Sequence, residues 1–181
     1  MKTNDAYVRD VFIRDVFIRD VCIRQATEAD TGVIEEIMLD VVTWMDTTGR
    51  HQWPAEESTW DYLKNRFKAE DFHIGFVEGE GACCCVIIDH DPNFWPDVPL
   101  GESLYLHKVA VKRKFAGEGY CDAMLDYAKD MARERGIKTL RLDAHQSRTK
   151  VRAIYERNGF KCVEEKTMFG YYHTAMYLCE L

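Results

Sequence analysis

The residues best suited to chemistry lie in a short glycine-containing turn, residues 116–119 (Ala-Gly-Glu-Gly). The segment before it, residues 104–111, is rich in β-branched and aromatic residues and is predicted to be a strand. From Tyr120 onward, apolar residues recur at helical spacing, which predicts an amphipathic helix. The first N–H groups of a helix have no internal partner, and the helix dipole adds partial positive charge there. Because Gly117 and Gly119 allow close approach of the backbone, the turn predicts a site for an anion such as phosphate.

Spacing distinguishes this turn from two well-known phosphate-binding loops. A Walker loop requires Gly-Lys-Ser/Thr, whereas Gly119 is followed by Tyr120 and Cys121. A dinucleotide fingerprint requires a further glycine at the position of Asp122. The sequence therefore argues against both motifs.

The stretch resembles motif A of the GNAT superfamily of acyl-CoA-dependent N-acetyltransferases. In that motif a strand ending hydrophobic-Ala-Val leads to R/Q-G-x-G-x-G/A and then to a helix. Here Val109–Val111 corresponds to the strand end, and residues 116–121 correspond to the glycine segment. Residues 153–160 (AIYERNGF) also resemble the superfamily's Leu-Tyr-x-x-x-Gly-Phe helix end. Two departures are Ala116 in place of Arg or Gln, and Cys121 in place of a small residue; both leave the backbone donors intact.

The resemblance implies an acyltransferase that moves an acetyl group from acetyl-CoA to a primary amine by direct attack. It assigns oxyanion stabilisation to backbone N–H groups of Val109 and Ala110. Arg148 stands where the superfamily often has Asn, and its guanidinium is suited to a phosphate oxygen. The other positions that the resemblance assigns to acetyl-CoA binding are Val111, Ala116, Gly117, Glu118, Gly119, Tyr120, Cys121 and Tyr155.

Acetylation of an amine also needs a base, because a primary amine with a pKa near ~10 is mostly protonated at neutral pH. Some superfamily members carry a catalytic glutamate where Tyr105 or His107 stands. His107, with a suitable intrinsic pKa, and Tyr105 are the candidate catalytic residues on this strand, and Glu102 is the alternative base. Tyr155 occupies the superfamily's tyrosine position and is predicted to protonate the leaving thiolate; the alternative is a packing role. Trp53 is predicted either to line the acceptor site or to pack in the core.

These residues require a scaffold, and the hydrophobic patterning predicts one from residue 21 to residue 181. The predicted order is β-α-α-β-β-β-α-β-α-β-β, a mixed central sheet flanked by helices in an α/β (α+β) fold. This order matches the GNAT superfamily. A turn is predicted at residues 79–81, and a helix at residues 146–158 with Val151, Ile154 and Tyr155 inward. Alternation predicts one shared face of the 104–111 strand for Tyr105, His107, Val109 and Val111.

Residues 1–20 are predicted to form a repetitive arm outside this single domain of residues 21–181. The sequence Val-Phe-Ile-Arg-Asp occupies residues 11–15 and again residues 16–20, and a looser copy occupies residues 21–25. A period of five matches neither the strand nor the helix repeat. The domain needs only the last copy as a strand, so the arm is a candidate contact in a homodimer.

Composition narrows the remaining possibilities. With 181 residues, 46% hydrophobic and 30% charged, the chain is typical of one globular domain. A net charge of −7 argues against nucleic acid as a partner and favours a cationic acceptor, either a small-molecule or a peptide amine. Seven cysteines without a C-x-x-C pair argue against a metal site and indicate a reducing cytoplasm. The sequence has no 18-residue apolar run, so no membrane association is expected.

A competing hypothesis is a domain of the same fold that binds acyl-CoA as a sensor or partner module with little catalysis. It is motivated by Ala116, by Arg148 and by the missing glutamate base. Turnover with an amine distinguishes the two hypotheses.

Overall fold

A computed structural model describes residues 16–18, 20–50 and 53–181, with the backbone alone at residues 16–18. Eight strands in these residues form one sheet in the order β1-β2-β3-β4-β5-β6-β8-β7. The strands are β1 Val16–Ile18, β2 Val21–Gln25, β3 Phe72–Val77, β4 Glu80–Ile88, β5 Leu104–Val111, β6 Thr139–His145, β7 Lys161–Met168 and β8 Tyr172–Glu180. The α-helices are α1 Thr31–Thr47, α2 Trp60–Leu63, α3 Tyr120–Glu134 and α4 Thr149–Arg157.

The sheet is mixed, because β5 and β6 are parallel and the other neighbouring strands are antiparallel. Helix α3 connects β5 to β6, as a parallel pair requires. Two parallel strands end at the same edge of a sheet, and each of these two runs into a helix. The N-termini of α3 and α4 therefore lie at one edge. The predicted fold class and element order are confirmed, with β1 as an additional strand.

Two apolar layers cover the sheet. On one face, α3 contributes Met124, Leu125 and Ala128 to a core that also contains Tyr155 and Phe160; we call this the α3 face. On the opposite face, which we call the α1 face, α1 contributes a separate buried set consisting of Ile34, Ile37 and Met38. Strand β4 is buried from both sides, with Cys83 and Cys85 on the α3 face and Cys84 on the α1 face. Their alternation agrees with the strand geometry expected from the sequence.

The β3–β4 hairpin turns earlier than the sequence predicts. Glu78 and Gly79 have φ of 50° and 83°, and Val77 pairs with Glu80, so the turn has two residues. Gly81, predicted in the turn, lies in β4 instead. A Cβ at Gly81 would lie 2.4 Å from Cγ1 of Val33, so α1 packs directly on the glycine backbone. The glycine at 81 therefore serves packing and not the turn.

The second and fourth helices are shorter than predicted. Helix α2, which the sequence predicts to start at Ser58 and to include Phe67, has only the four residues Trp60–Leu63. Helix α4 begins at Thr149 and not at residue 146, because Arg148 has non-helical φ and ψ of −85° and 58°. The Nδ1 atom of His145 lies 2.8 Å from Oγ of Ser147 in the turn before it. Val151, predicted to face inward, is 36% exposed.

The predicted N-terminal arm falls mainly on residues 1–15 and 19, which lie outside the described residues. Its described part includes β1, which pairs with β2 from Val16↔Ile23 to Ile18↔Val21. Asp20 also contacts the domain, since its Oδ2 accepts a hydrogen bond of 2.8 Å from the hydroxyl of Tyr120. No helix in the described ranges is long and apolar enough to cross a membrane.

Candidate active site

The glycine turn connects β5 to the start of α3 through left-handed backbone. A short 3-10 turn at Arg113–Phe115 leads to Gly117, with φ of 94°, and to Gly119, with φ of 90°. Helix α3 begins at Tyr120, so its first N–H groups lie directly after the second glycine. A Cβ at Gly117 would meet nothing within 4 Å, so the turn faces open space there. The predicted arrangement of strand, glycine turn and helix N-terminus is thus present.

The carboxylate of Asp122, near this helix N-terminus, is paired with a cation. Asp122 is the acidic residue in the first turn of α3. Its two carboxylate oxygens accept hydrogen bonds from Arg157 at 3.0 and 2.6 Å, and this pair lowers the pKa of Asp122. The Asn158 amide donates to the same carboxylate at 2.5 Å. The charge of Asp122 at the N-terminus of α3 is therefore offset, whereas the Glu118 carboxylate in the preceding turn is exposed.

The side chains of Tyr120 and Cys121 point into the protein, so the turn offers backbone groups to a ligand. Tyr120 is buried and packs edge to face on Phe115, with ring centroids 5.9 Å apart. Cys121 is half-buried, and burial raises the pKa of its thiol to about 12. A thiol with that pKa is a poor nucleophile at neutral pH. Ala116 adds no polar group, and Glu118 is exposed.

Strands β5 and β6 separate just before this turn. They pair at three positions, the last of which is Leu106↔Leu142. Beyond it, β6 continues alongside β8 while β5 continues alongside β4. The edge of β5 from residue 107 to residue 111 therefore has no strand partner on the β6 side within the described chain. Backbone groups on this edge are free to pair with an extended ligand.

A β-bulge in β5 corrects the predicted face of this strand. The register shifts between Cys84↔Ala110 and Val86↔His107, so Cys85 opposes both Lys108 and Val109. Lys108 has a φ of 51°, unusual for a residue with a side chain. The prediction of one shared face is wrong because the bulge inverts the alternation. Val109 and Val111 pack on the α3 face, whereas His107 contacts Phe67 of the α1 face, at 6.1 Å between ring centroids.

His107 and Asp91 form a buried pair on the α1 face. Nε2 of His107 lies 3.4 Å from Oδ2 of Asp91, and 18% and 6% of the two side chains are exposed. Neither atom has a hydrogen-bond partner among the described residues. Burial lowers the pKa of His107, and Asp91 opposes this effect. The imidazole is thus neutral at neutral pH, as a base must be before it accepts a proton.

Tyr105, the other strand residue predicted to be catalytic, lies two positions before His107. It is 1% exposed, and its hydroxyl has no hydrogen-bond partner in the described part of the chain. Burial raises the pKa of this phenol. Tyr105 therefore has a proton to donate and no acceptor for it. Glu102, the alternative base, is exposed at the start of the strand.

Sequence reasoning missed two acidic residues: Asp91, which lies against His107, and Asp143, which the charges of Asp91 and Lys108 affect. Asp143 lies on β6, where its Oδ2 accepts long hydrogen bonds from Tyr172 (3.3 Å) and Thr174 (3.4 Å). Burial, followed by the charge of Asp91, raises the pKa of Asp143 to about 6. Neither aspartate belongs to a recognisable local motif, so only the tertiary structure shows them together.

Lys108 and Trp53 close another side of this region. The Lys108 ammonium lies 4.8 Å from the centroid of the Trp53 ring, within the range of a cation–π interaction. Burial lowers the pKa of Lys108 to about 8. Trp53 also packs against the apolar set of the α1 face. Its two predicted roles, core packing and a wall near the site, are therefore compatible.

Tyr155 lies on the α3 face of the sheet. Its ring contacts Phe160 and Tyr177, with centroids 6.1 and 5.9 Å away. Burial raises the pKa of the phenol well above its ordinary value, so it stays protonated throughout the physiological range. This state suits a proton donor, and its role as the acid stays a prediction.

Arg148 lies at the sheet edge that carries the glycine turn, because it precedes α4. Its Nη2 donates to the backbone carbonyl of Arg50. The guanidinium groups of Arg50 and Arg113 lie 5.2 and 3.9 Å from the ring centroid of Trp44. Trp44 was not singled out from the sequence. Binding of a phosphate by Arg148 stays a prediction.

The described residues place no group of three His, Cys, Asp or Glu side chains where they could hold a metal ion. The candidate site consists of three features: the glycine turn, the unpaired edge of β5 and a group of buried polar side chains. This last group, which we call the β5 polar cluster, consists of Asp91, Tyr105, His107, Lys108 and Asp143.

The chain is similar in sequence and fold to known N-acetyltransferases. The chain resembles the uncharacterized N-acetyltransferase YesJ of Bacillus subtilis (strain 168), with 24% identity over 75% of this chain and 79% of that protein. A GNAT-family acetyltransferase of Listeria monocytogenes 4b F2365 superposes with a TM-score of 0.72 at 24% identity, covering 89% of this chain and 95% of that one. The PaiA N-acetyltransferase of Thermoplasma acidophilum, solved in complex with coenzyme A, superposes with a TM-score of 0.70 at 15% identity, covering 89% and 99%.

The sequence model of the Acetyltransferase (GNAT) family matches residues 30–160, well over half of the chain. The match includes the β5–turn–α3 segment and α4. This protein is therefore an acyltransferase that belongs to the GNAT acetyltransferase family.

Proposed function

We propose that this acyltransferase moves an acetyl group from acetyl-CoA to a primary amine by direct attack, without a covalent enzyme intermediate. The observation that carries the proposal is the continuity of the unpaired β5 edge with the glycine turn and the N-terminus of α3. The open space at Gly117 fits close approach by a diphosphate. The coenzyme A bound to PaiA supports this donor.

The binding residues that we propose follow the predicted segment. Backbone groups of Val109, Ala110 and Val111 would hold the extended part of acetyl-CoA, and those of residues 116–121 would hold its diphosphate. We also assign a phosphate contact to Arg148, which precedes α4 at the same edge. Acetyl-CoA, when bound, supplies a thioester carbonyl that is activated toward amines.

We assign roles to four side chains. His107 removes a proton from the acceptor amine, because it is neutral and lies on the face opposite Val109 and Val111. Tyr155 supplies a proton to the departing thiolate, which its raised pKa allows. Tyr105 orients the acceptor through its unpartnered hydroxyl, and Trp53 forms a wall of the acceptor site.

The acceptor class that we propose is a small-molecule or peptide amine. The net charge of −7 supports a cationic acceptor through weak steering. All seven cysteines are free thiols, which supports action in a reducing compartment such as the cytoplasm. Association of two copies through residues 1–20 stays a prediction that sedimentation of the full chain against a chain lacking them would test.

The first experiment is a thermal-shift series with acetyl-CoA, CoA, NADH and ATP, because a ligand of the native state raises the melting temperature. We expect stabilisation by the two CoA species alone. An amine panel with acetyl-CoA, followed by mass spectrometry, then measures turnover. Stabilisation by NADH or ATP instead would contradict the donor assignment. Binding of CoA without turnover of any amine would contradict the transfer reaction and favour a binding module.

A further inference from the structure

The pair formed by His107 and Asp91 contains two complementary polar atoms that are buried without partners. Nε2 of the imidazole and Oδ2 of the carboxylate lie 3.4 Å apart. Buried polar atoms without hydrogen bonds are rare in native proteins, because each loses its bond to water. The most direct partner for each atom here is the other one. Catalytic hydrogen bonds are often long or poorly aligned before a ligand binds, and a small movement would close this distance.

We propose that Asp91 positions His107 for catalysis by accepting the Nε2–H of the imidazole. This hydrogen bond leaves Nδ1 without a proton, and Nδ1 then takes the proton of the acceptor amine. The inference rests on the proposed function and adds a positioning residue to it. No covalent bond to the protein forms: the proton moves from the amine nitrogen to Nδ1, and the amine lone pair is freed for attack.

The loop that carries Asp91 holds its carboxylate in place. The other oxygen, Oδ1, accepts a hydrogen bond of 3.3 Å from the backbone N–H of Phe94. The backbone carbonyl of Asp91 accepts another, of 2.9 Å, from the N–H of Trp95. Oδ2 is consequently directed at His107 by a turn whose backbone is already fixed. Such fixed orientation of a base by a third group is the arrangement that makes a base effective.

The charges around His107 explain why a base at this position needs a neighbouring carboxylate. Lys108 follows His107 on β5, and Arg66 faces it from the segment after α2; both cations lower its pKa, as burial does. The rings of Phe67 and Phe94, 6.1 and 6.5 Å from the imidazole, carry no charge. Asp91 is the group that opposes these effects. A carboxylate in this position stabilises the imidazolium that forms when His107 accepts the proton.

Nitrogen-detected NMR of the histidines in the ligand-free protein tests the geometry without requiring a known acceptor. The signal of His107 is assigned by its loss in His107→Gln. We expect the neutral ring to carry its proton on Nε2, and we expect Asp91→Asn to lower the pKa of His107. A wild-type ring protonated on Nδ1, or an unchanged pKa in the variant, would overturn the proposal. This result is independent of whether any amine is acetylated.

Kinetics with an accepted amine tests the consequence. Asp91→Asn should lower kcat at least about tenfold, as a part of the ~10²–10⁴-fold that a positioned base contributes. The acid limb of the kcat/KM profile should move to lower pH, since the group that raises the pKa of His107 is gone. Asp91→Glu keeps the carboxylate and should restore part of the rate. Asp97→Asn, an exposed change on the same loop, is the matched control and should behave as wild type.

A double-mutant cycle separates positioning from general structural damage. In the His107→Gln background, Asp91→Asn should cause little further loss, because the residue it positions is already absent. An equal loss in both backgrounds would show that Asp91 acts through folding or through another group. Absence of turnover in the wild type would refute the proposed function, while the NMR experiment would still decide the pairing.

Discussion

The effect of a buried charge in the β5 polar cluster can be measured at Asp143, because it makes the free energy of unfolding depend on pH. Its carboxylate lies against β8, where its hydrogen bonds from Tyr172 and Thr174 are 3.3 and 3.4 Å long. Hydrogen bonds of that length are weak, so they only partly replace the bonds to water that the carboxylate loses on burial. Burial and the neighbouring charge of Asp91 consequently raise its pKa from 3.8 to about 6. The folded protein therefore binds the proton of Asp143 more tightly than the unfolded chain does.

The sign and size of the effect follow from linkage. Below pH 3.8 the carboxyl is protonated in both states and contributes no pH dependence. Between pH 3.8 and about 6 the unfolded chain releases the proton first, so folding stability falls as the pH rises. A pKa difference of this size corresponds to about 3 kcal/mol lost above pH 6. Asp143→Asn removes the charge and should raise the free energy of unfolding by up to that amount at pH 7.

The assay is urea denaturation of wild type and Asp143→Asn at closely spaced pH values from 3.5 to 7.5, a range that brackets both pKa values. The difference between the two proteins should approach zero near pH 3.5 and grow to a plateau above pH 6. Because other titrating groups are shared, the difference isolates residue 143. Asp97→Asn, an exposed aspartate, should give no such curve. A constant difference, or a variant that is less stable at pH 7, would refute the account of a buried destabilising charge.

Three further predictions concern the turn, the packing and the acid. Gly119→Val should abolish CoA binding in a thermal-shift titration. Gly136→Val also puts valine at a positive φ, 69° against 90° at Gly119, but at the other end of α3, so it should lower stability and leave binding intact. Gly81→Ala should destabilise by about 1–3 kcal/mol in urea melts through its clash with α1. Gly32→Ala, in open space on that helix, should stabilise by up to about 1 kcal/mol. Stability changes of the same sign in Gly81→Ala and Gly32→Ala would contradict the packing argument. Tyr155→Phe should lower kcat more than it weakens CoA affinity, and full activity in steady-state kinetics would exclude it as the acid.

Local sequence signals were sufficient for the segment from β5 to α3. The strand bounds, the glycine turn and the helix start at Tyr120 agree with the prediction. Each depends on neighbouring residues: β-branched and aromatic content for the strand, glycine for positive φ, and periodic apolar residues for the helix.

The bulge at Lys108 could not be read from the sequence. Nothing in residues 104–111 marks where alternation should change, and the lysine lacks the conformational freedom of the glycine often found at such sites. The register of β5 against β4 differs by one residue on the two sides of the bulge, a change that only the paired strands reveal. Asp91 was missed for a related reason, since it reaches His107 from a loop that the chain leaves before entering β5.

The bulge also explains how one strand can serve both faces of the sheet. Without it, His107 would share a face with Val109 and Val111, as strict alternation predicts. With it, His107 and Lys108 face α1, while the two valines pack against α3. These residues lie in the part of β5, residues 107–111, that does not pair with β6. An acetyl donor paired to that edge would therefore lie beside the β5 polar cluster and leave the α1 face of the cluster available to the acceptor. Transfer between two substrates requires such an arrangement.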